Sequence, residues 1–184
     1  MSDDKVTIEV DVANGSIIGG LGITNFTTAP LRLVQSVWLK VSQEKIFFIV
    51  SNPQEWSRLF PWVQSVTVDS RQAEVEGGVG ARRCCNFGNG MVLEETIVAW
   101  NPPHMYAYSC QDETNPFGLK DHLGLVTCQA DAEAGTILTW RQYFAHPNPQ
   151  AMVEKMDGSL SMAILKLINR FNGRLLETYS NIKS

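Results

Sequence analysis

Hydrophobic and polar residues alternate along most of this chain, and a period of two predicts β-strands. The first clear run is RLVQSVWLKV, from Arg32 to Val41. Six further runs follow, separated by Gly, Asn, Pro and Asp: WVQSVTVDS, GARRCCNF, MVLEETIVAW, HMYAYSCQ, LKDHLGLVTCQA and TILTWRQYFAH. Strands joined by such short turns pair with their neighbours, so the pattern predicts an antiparallel meander.

The alternation is interrupted twice by helical patterns. Ser42 precedes SQEKIFFIVSN as a helix N-cap would, and Pro53 suits the first turn of a second short helix, PQEWSRLF. From Pro149 to about Ser180 the apolar residues recur at steps of three and four, which predicts one long helix. Its apolar stripe is Met152, Met156, Leu160, Ala163, Leu167, Phe171 and Leu175.

These elements predict an α+β fold in which a curved antiparallel sheet of about seven strands wraps around the long C-terminal helix. The chain of 184 residues has the length of one domain. Within residues 1–30, VTIEVDV alternates like a strand, but GSIIGGLGITNFTTAP mixes Gly with isolated apolar residues and lacks a packing period. We therefore expect residues 1–30 to form an extension, either an arm or a flap. Residues 31–184 then form a single domain.

Charge and cysteine content narrow the function classes. A net charge of −4 and a pI near 5.4 disfavour nucleic acid and anionic membranes as partners. Without a basic leader or a long apolar run, we expect a cytoplasmic protein. The four cysteines show no CxxC spacing, so the sequence predicts neither a zinc site nor another metal site.

The segment EGGVGARRCCNFGNGMVLEE has the composition of a phosphate loop but lacks the spacing of one. Asn89-Gly90 instead indicates a two-residue hairpin turn, which places Cys84 opposite Glu95. One face then carries Arg82, Cys84, Met91, Leu93, Glu95, Ile97 and Ala99, and the other carries Arg83, Cys85, Phe87, Val92, Glu94, Thr96, Val98 and Trp100. Each face has a diagonal Arg–Glu pair, and the residues alone do not show which pair is buried.

The succession SNPQEWSRLFPWVQSV, GVGARR, GNGMVLEETIVAWNPP and TNPFGLKDHLGLVTCQADAEAGTILTWRQYF, followed by a long terminal helix, resembles the START-like superfamily. This superfamily, also called SRPBCC or Bet v 1-like, has the helix-grip fold. The similarity covers roughly residues 33–179 and is greatest to polyketide cyclase/dehydrase-like proteins. It implies an internal cavity for a hydrophobic small molecule and no metal or organic cofactor.

By position, the resemblance implies that the face with Arg82 and Glu95 is the inner face of the sheet. It implies a catalytic set of Glu95 as base, His122 as proton shuttle and Arg82 as electrostatic partner. The substrate-binding residues implied are Leu93, Ile97, Ala99, Lys120, Leu138, Trp140, Gln142, Phe144, Met152 and Met156. One departure is that relatives tend to have aromatic residues and an arginine where this chain has Leu93, Glu95 and Ala99.

Two functions fit these residues: acid–base cyclisation, dehydration or isomerisation of a polyketide-like or aromatic molecule, and non-catalytic carriage or sensing of a lipid or polyketide. In the second, Glu95 and Arg82 form a structural ion pair and His122 is an ordinary interior histidine. Tyr106, Tyr108 and Tyr143 are assigned to packing. An acyl carrier protein and a second copy of the chain are the macromolecular partners considered, and a third hypothesis is an interaction module acting through the arm.

Overall fold

The computed structural model describes residues 17–18, 21–88 and 90–182, and these form an α+β fold. Two short strands, β1 (Ile17–Ile18) and β2 (Leu21–Gly22), pair with each other. The main sheet contains β3 (Leu31–Leu39), β4 (Ser65–Asp69), β5 (Arg82–Asn86), β6 (Val92–Asn101), β7 (Met105–Cys110), β8 (Lys120–Asp131), β9 (Gly135–Ala145) and β10 (Arg174–Ser180). All its neighbours are antiparallel, in the order β10-β3-β9-β8-β7-β6-β5-β4.

The two short helices begin where their caps predict. Helix α1 (Gln43–Ser51) starts after Ser42, whose side chain accepts from the backbone N–H of Lys45. Helix α2 (Pro53–Leu59) starts after Asn52, which accepts from the N–H of Gln54. Each cap satisfies an N–H that has no partner within the helix, so short polar side chains determine both starts.

The long helix α3 (Pro149–Phe171) covers the concave face of the sheet. Four residues of the predicted stripe are buried, namely Met152, Leu160, Ala163 and Leu167, and Pro149, Val153 and Ile164 are buried beside them. With this helix and the antiparallel sheet, the predicted helix-grip fold is confirmed. None of the helices in the described part of the chain is long and apolar enough to cross a membrane.

The predicted end of this helix, near Ser180, is wrong. Asn172 adopts a left-handed conformation with φ of 46°, which ends the helix. A Cβ on Gly173 would lie 2.6 Å from the carbonyl oxygen of Trp38, so the chain passes close against β3 at this point. It then forms β10, an eighth strand in place of the predicted last two helical turns.

The described part of the N-terminal extension lies on the convex face of the sheet. Ile23 and Phe26 pack against a cluster on that face, and Thr27 and Thr28 bond to Asp121. That cluster contains Ala99, Met105, Ala107, Leu123, Leu125 and Tyr143. Residues 21–30 therefore do not cover the concave face, and the arm or flap predicted for residues 1–16 and 19–20 lies outside the described residues.

Candidate functional site

A cavity of about 450 Å³ separates the concave face of the sheet from α2 and α3. Most of its wall is aromatic or aliphatic: Leu33, Trp56, Phe60, Trp62, Val63, Phe87, Met91, Leu93, Phe117, Leu119, Trp140, Met152, Met156 and Leu160. Its polar lining residues are Glu95, Tyr108, His122, Gln142, Lys155 and Ser159, together with the thiols of Cys85 and Cys110. An apolar hollow with a few converging polar groups is the usual form of a small-molecule site.

The register of the β5–β6 hairpin corrects the predicted arginine. Arg83 pairs with Glu95, whereas the sequence predicted Cys84 at that position. The strands close at Phe87 and Met91, where the N–H of Phe87 donates to the carbonyl of Met91 over 3.0 Å. Three residues rather than two thus connect the strands, and Asn89 lies outside the described residues. A shift of one residue exchanges the faces of a strand.

Arg82 therefore lies on the outer face of the sheet rather than in the cavity. It bonds to Glu94 over 3.0 Å, with both side chains about half exposed. The buried partner of Glu95 is Arg83, whose Nη2 lies 2.8 Å from Glu95 Oε2. Both side chains of this inner pair are less than 5% exposed, at 3% and 4%.

Aromatic rings surround the inner ion pair. The guanidinium carbon of Arg83 lies 4.4 Å from the Trp56 ring centroid, 4.7 Å from that of Tyr108 and 5.5 Å from that of Tyr106. Burial raises the pKa of Glu95, and Arg83 opposes that rise. Burial is the largest single effect on the pKa of Arg83 and acts to lower it, but Glu95 together with Tyr106, Cys85 and Tyr108 raises that pKa overall. Arg83 thus stays charged beside a carboxyl group whose basicity burial increases.

A second polar group spans the neighbouring strands β7, β8 and β9. His122 Nε2 lies 2.8 Å from Gln142 Oε1, and Gln142 Nε2 donates to the Tyr108 hydroxyl oxygen over 2.9 Å. The indole N–H of Trp140 donates to the same oxygen over 3.0 Å. Burial lowers the pKa of His122 to about 4, against the opposing effect of Gln142, so this imidazole is neutral near pH 7.

The predicted site residues fall into three groups. Glu95, His122, Leu93, Trp140, Gln142, Met152 and Met156 line the cavity. Ile97, Leu138 and Phe144 are buried in the protein interior but do not line it. Arg82, Ala99 and Lys120 lie away from it, and for these three the predicted position is wrong.

Two irregularities in the sheet explain why Ala99 and Lys120 do not line the cavity. The β6–β7 register shifts between Ile97 and Ala99, which turns Ala99 onto the convex face. The β8–β9 register shifts between Lys120 and Leu123, where Asp121 has a φ of 49°. Lys120 is exposed and its Nζ donates to the backbone carbonyl of Asp112. The sequence carries no turn residue at the first bulge, whereas the second contains Asp121, a residue type that tolerates a left-handed backbone.

The positions of Tyr108 and of the aromatic residues around α2 on the cavity wall were not predicted from the sequence. Tyr108 was assigned to packing, yet its hydroxyl joins the polar network on the cavity wall. One signal was available: Tyr108 lies two residues before Cys110 and so on the same face of β7, and Cys110 is the partner of Glu95 on β6. Trp56, Phe60 and Trp62 come from α2 and the loop after it, whose docking against the sheet has no sequence pattern.

The cysteines are free, and three of the four are buried. Cys85 and Cys110 line the cavity beside Glu95, and burial raises the pKa of both thiols. They therefore remain protonated and behave as small apolar groups rather than as nucleophiles. Among the described residues, no group of three or more His, Cys, Asp or Glu side chains is placed to hold a metal ion.

Comparisons with known proteins support the same class of fold. Residues 30–169 match the family described as polyketide cyclase / dehydrase and lipid transport. A protein of Mycobacterium bovis is 27% identical over 82 residues, and two from Mycobacterium tuberculosis strains match equally. The match covers 45% of this chain and 47% of each relative, so the chain spans about half the length of the curated relatives it matches.

Solved structures resemble the fold at low sequence identity. The protein XoxI from Bacillus cereus superposes with a TM-score of 0.61 at 18% identity, covering 75% of this chain and 93% of that one. The di-domain ARO/CYC StfQ from the steffimycin biosynthetic pathway gives 0.60 at 12% identity, covering 76% and 50%. A norcoclaurine synthase point mutant from Thalictrum, in complex with a transition-state analogue, gives 0.55 at 14%, covering 78% and 94%. Together with the family match over residues 30–169, this likeness of fold confirms the resemblance to the START-like superfamily.

Proposed function

Because the chain belongs to the polyketide cyclase/dehydrase and lipid transport family, we propose that it encloses a hydrophobic, polyketide-like or aromatic molecule and promotes its cyclisation, dehydration or isomerisation by acid–base chemistry. The observation that supports this most directly is Glu95, a buried carboxyl group on the wall of an apolar cavity. Family membership supports ligand binding, and Glu95 supports the chemistry.

Glu95 has the environment of a general base. Burial raises its pKa, which increases its affinity for a proton, and Arg83 opposes that rise. Its Oε2 is bonded to Arg83, so the carboxyl group is fixed relative to the sheet. Removal of a proton from the carbon next to a carbonyl group is the step shared by aldol cyclisation and dehydration, and a positioned base accelerates it by about 10²–10⁴-fold.

In dehydration of a β-hydroxy ketone, the α-proton moves to Glu95 and the electron pair of the C–H bond moves onto the carbonyl oxygen, giving an enolate. As the carbonyl group re-forms, the new carbon–carbon double bond forms while the carbon–oxygen bond breaks, and the hydroxyl group leaves as water with the proton that Glu95 had taken up. His122 as the proton shuttle stays a prediction. That role uses Nδ1, the ring nitrogen without a partner among the described residues, because Nε2 is bonded to Gln142.

The test uses a naphthyl β-hydroxy ketone, whose dehydration gives a conjugated enone with a new absorption band. We expect turnover by the wild-type protein and a loss of about 100-fold or more in Glu95→Gln. Glu94→Gln is the matched control, because Glu94 is the adjacent residue on the same strand and faces outward. Equal rates for the wild type and Glu95→Gln would overturn the assignment of Glu95.

Carriage or sensing of a lipid or polyketide without catalysis is the second candidate, favoured by the mainly apolar wall. Native mass spectrometry of protein purified from cells distinguishes the two. A carrier retains one unaltered ligand per chain, and its release is unaffected by Glu95→Gln. We also propose an acyl carrier protein as the ligand donor, a homodimer and a cytoplasmic location. Size-exclusion chromatography with and without an acyl carrier protein tests the first two.

A further inference from the structure

The hydroxyl group of Tyr108 is arranged as a hydrogen-bond donor. Its oxygen accepts from Trp140 Nε1 over 3.0 Å and from Gln142 Nε2 over 2.9 Å. A phenolic oxygen has two acceptor sites and one proton, so these two bonds fill both acceptor sites. No described residue accepts the proton of Tyr108 within hydrogen-bond distance, and Tyr108 lines the cavity. The proton is therefore available to a molecule in the cavity.

The orientation of the Gln142 amide depends on His122. The imidazole is neutral and carries one N–H, and its Nε2 faces the amide oxygen of Gln142 over 2.8 Å. Since a carbonyl oxygen only accepts, Nε2 must be the nitrogen that carries the hydrogen. With its oxygen held by His122, the Gln142 amide directs its NH₂ group to Tyr108. His122 and Gln142 thus act on the ligand through Tyr108.

The position of the Tyr108 ring depends on Gly124. A Cβ built on Gly124 would lie only 2.2 Å from Cζ of Tyr108, so the ring lies directly on the bare backbone of β8. The two residues are partners in the β7–β8 register. The ring also stacks against Tyr106 on its own strand, with centroids 6.0 Å apart and planes at 28°. The ring is therefore held by packing as well as by hydrogen bonds.

We propose that Tyr108 donates its hydroxyl proton in a hydrogen bond to a carbonyl oxygen of the bound molecule, with Gln142 and His122 as positioning residues. This rests on the ligand-enclosing function proposed above and adds the group that binds the carbonyl oxygen of the ligand. Glu95 lies nearby, because Arg83 contacts both its carboxylate and the Tyr108 ring. When Glu95 takes the α-proton, the electron pair moves onto the carbonyl oxygen, where a fixed donor stabilises the developing charge.

Burial raises the pKa of Tyr108 well above its ordinary value of 10, so the hydroxyl keeps its proton as it donates. Tyr106, two residues earlier on β7, differs in the relevant respect. Its hydroxyl donates to the backbone carbonyl of Val50 over 2.7 Å, and it does not line the cavity. Tyr106→Phe is therefore a matched control for Tyr108→Phe.

The experiment compares two probes of similar size, acetylnaphthalene and ethylnaphthalene with the same ring position, of which only the ketone has an acceptor. We expect the wild type to bind the ketone about tenfold more tightly, as for one added hydrogen bond in a buried site. Tyr108→Phe should abolish this preference while keeping the affinity for ethylnaphthalene, and Tyr106→Phe should keep the preference. The carbonyl stretching band of the bound ketone should lie at lower frequency in the wild type than in Tyr108→Phe.

The same band tests the positioning residues, since a purely structural role for them would not move it. Gln142→Leu should shift the band toward its position in Tyr108→Phe, and an unchanged band would overturn the positioning role. If the wild type binds both probes equally, the proposal for Tyr108 is wrong, but the proposed ligand-enclosing function is unaffected. If the wild type binds neither probe, the ligand-enclosing function fails with it. The wild-type comparison remains decisive even if Tyr108→Phe does not fold.

Discussion

Replacing Arg83 by Met tests whether the buried ion pair holds the site together. The change removes the guanidinium from Glu95 and from the rings of Trp56 and Tyr108, while keeping a flexible apolar side chain in its place. Glu95 would then be a carboxylate only 4% exposed, without its counter-charge. Breaking a buried pair by removing one partner costs about 3–5 kcal/mol, a large part of the roughly 5–15 kcal/mol that stabilises a domain.

Urea unfolding followed by tryptophan fluorescence measures this cost. With an m-value of about 2 kcal/mol/M, we expect the midpoint for Arg83→Met to fall by roughly 1.5–2.5 M. Arg82→Met is the matched control on the neighbouring residue, because its pair with Glu94 is about half exposed and surface pairs contribute about 0–1 kcal/mol. The double variant Arg83→Met/Glu95→Gln should recover much of the loss, since no buried charge remains unpaired.

The stability of Arg83→Met should depend on pH because of Glu95. In the wild type burial raises the pKa of this carboxyl group and Arg83 opposes the rise, so without Arg83 the pKa rises further. A carboxyl group with a raised folded pKa lowers stability when it is ionised, and this cost disappears as the pH falls through that pKa. The stability difference between the wild type and Arg83→Met should therefore narrow on acidification. A difference no larger than that of Arg82→Met at neutral pH would refute this account of the pair.

Three further predictions concern the buried residues His122 and Gly124 and the exposed residue Gly158. His122 has a pKa of about 4 in the folded chain against an ordinary 6.5. Between these two values the imidazole binds a proton in the unfolded state but not in the folded one. The free energy of unfolding of the wild type should therefore fall by about 3 kcal/mol between pH 6.5 and 4. His122→Gln should remove this loss and His104→Gln, at an exposed residue, should retain it; parallel pH curves for the wild type and His122→Gln would contradict the shift. Gly124→Ala should cost about 1–3 kcal/mol by forcing Tyr108 aside and should weaken the preference for ketone probes, as unfolding and titration measure. Gly158→Ala, in α3 with open space around it, should instead stabilise by about 0.5–1 kcal/mol, and a loss there would show that the space is occupied.

The elements of the fold were predictable from the sequence because each depends on a local cause. The period of two predicted seven of the eight strands of the main sheet, and the apolar stripe predicted α3. Ser42 and Pro53 act on backbone groups within a few residues of themselves, so their effect can be predicted without a tertiary structure. The inward orientation of Glu95 came from the family resemblance, and its place on the cavity wall agrees with that expectation.

The arrangement of the polar groups required the tertiary structure. The inner arginine is Arg83 rather than Arg82 because one extra residue in the hairpin connection shifts the register of β5 against β6. Ala99 is turned outward by a bulge that has no sequence signal. Tyr108 could not be distinguished from an ordinary packed tyrosine until Gly124, Gln142 and Trp140 were seen around it. Local patterns determine which elements form, whereas contacts between distant residues decide which side chains share the cavity.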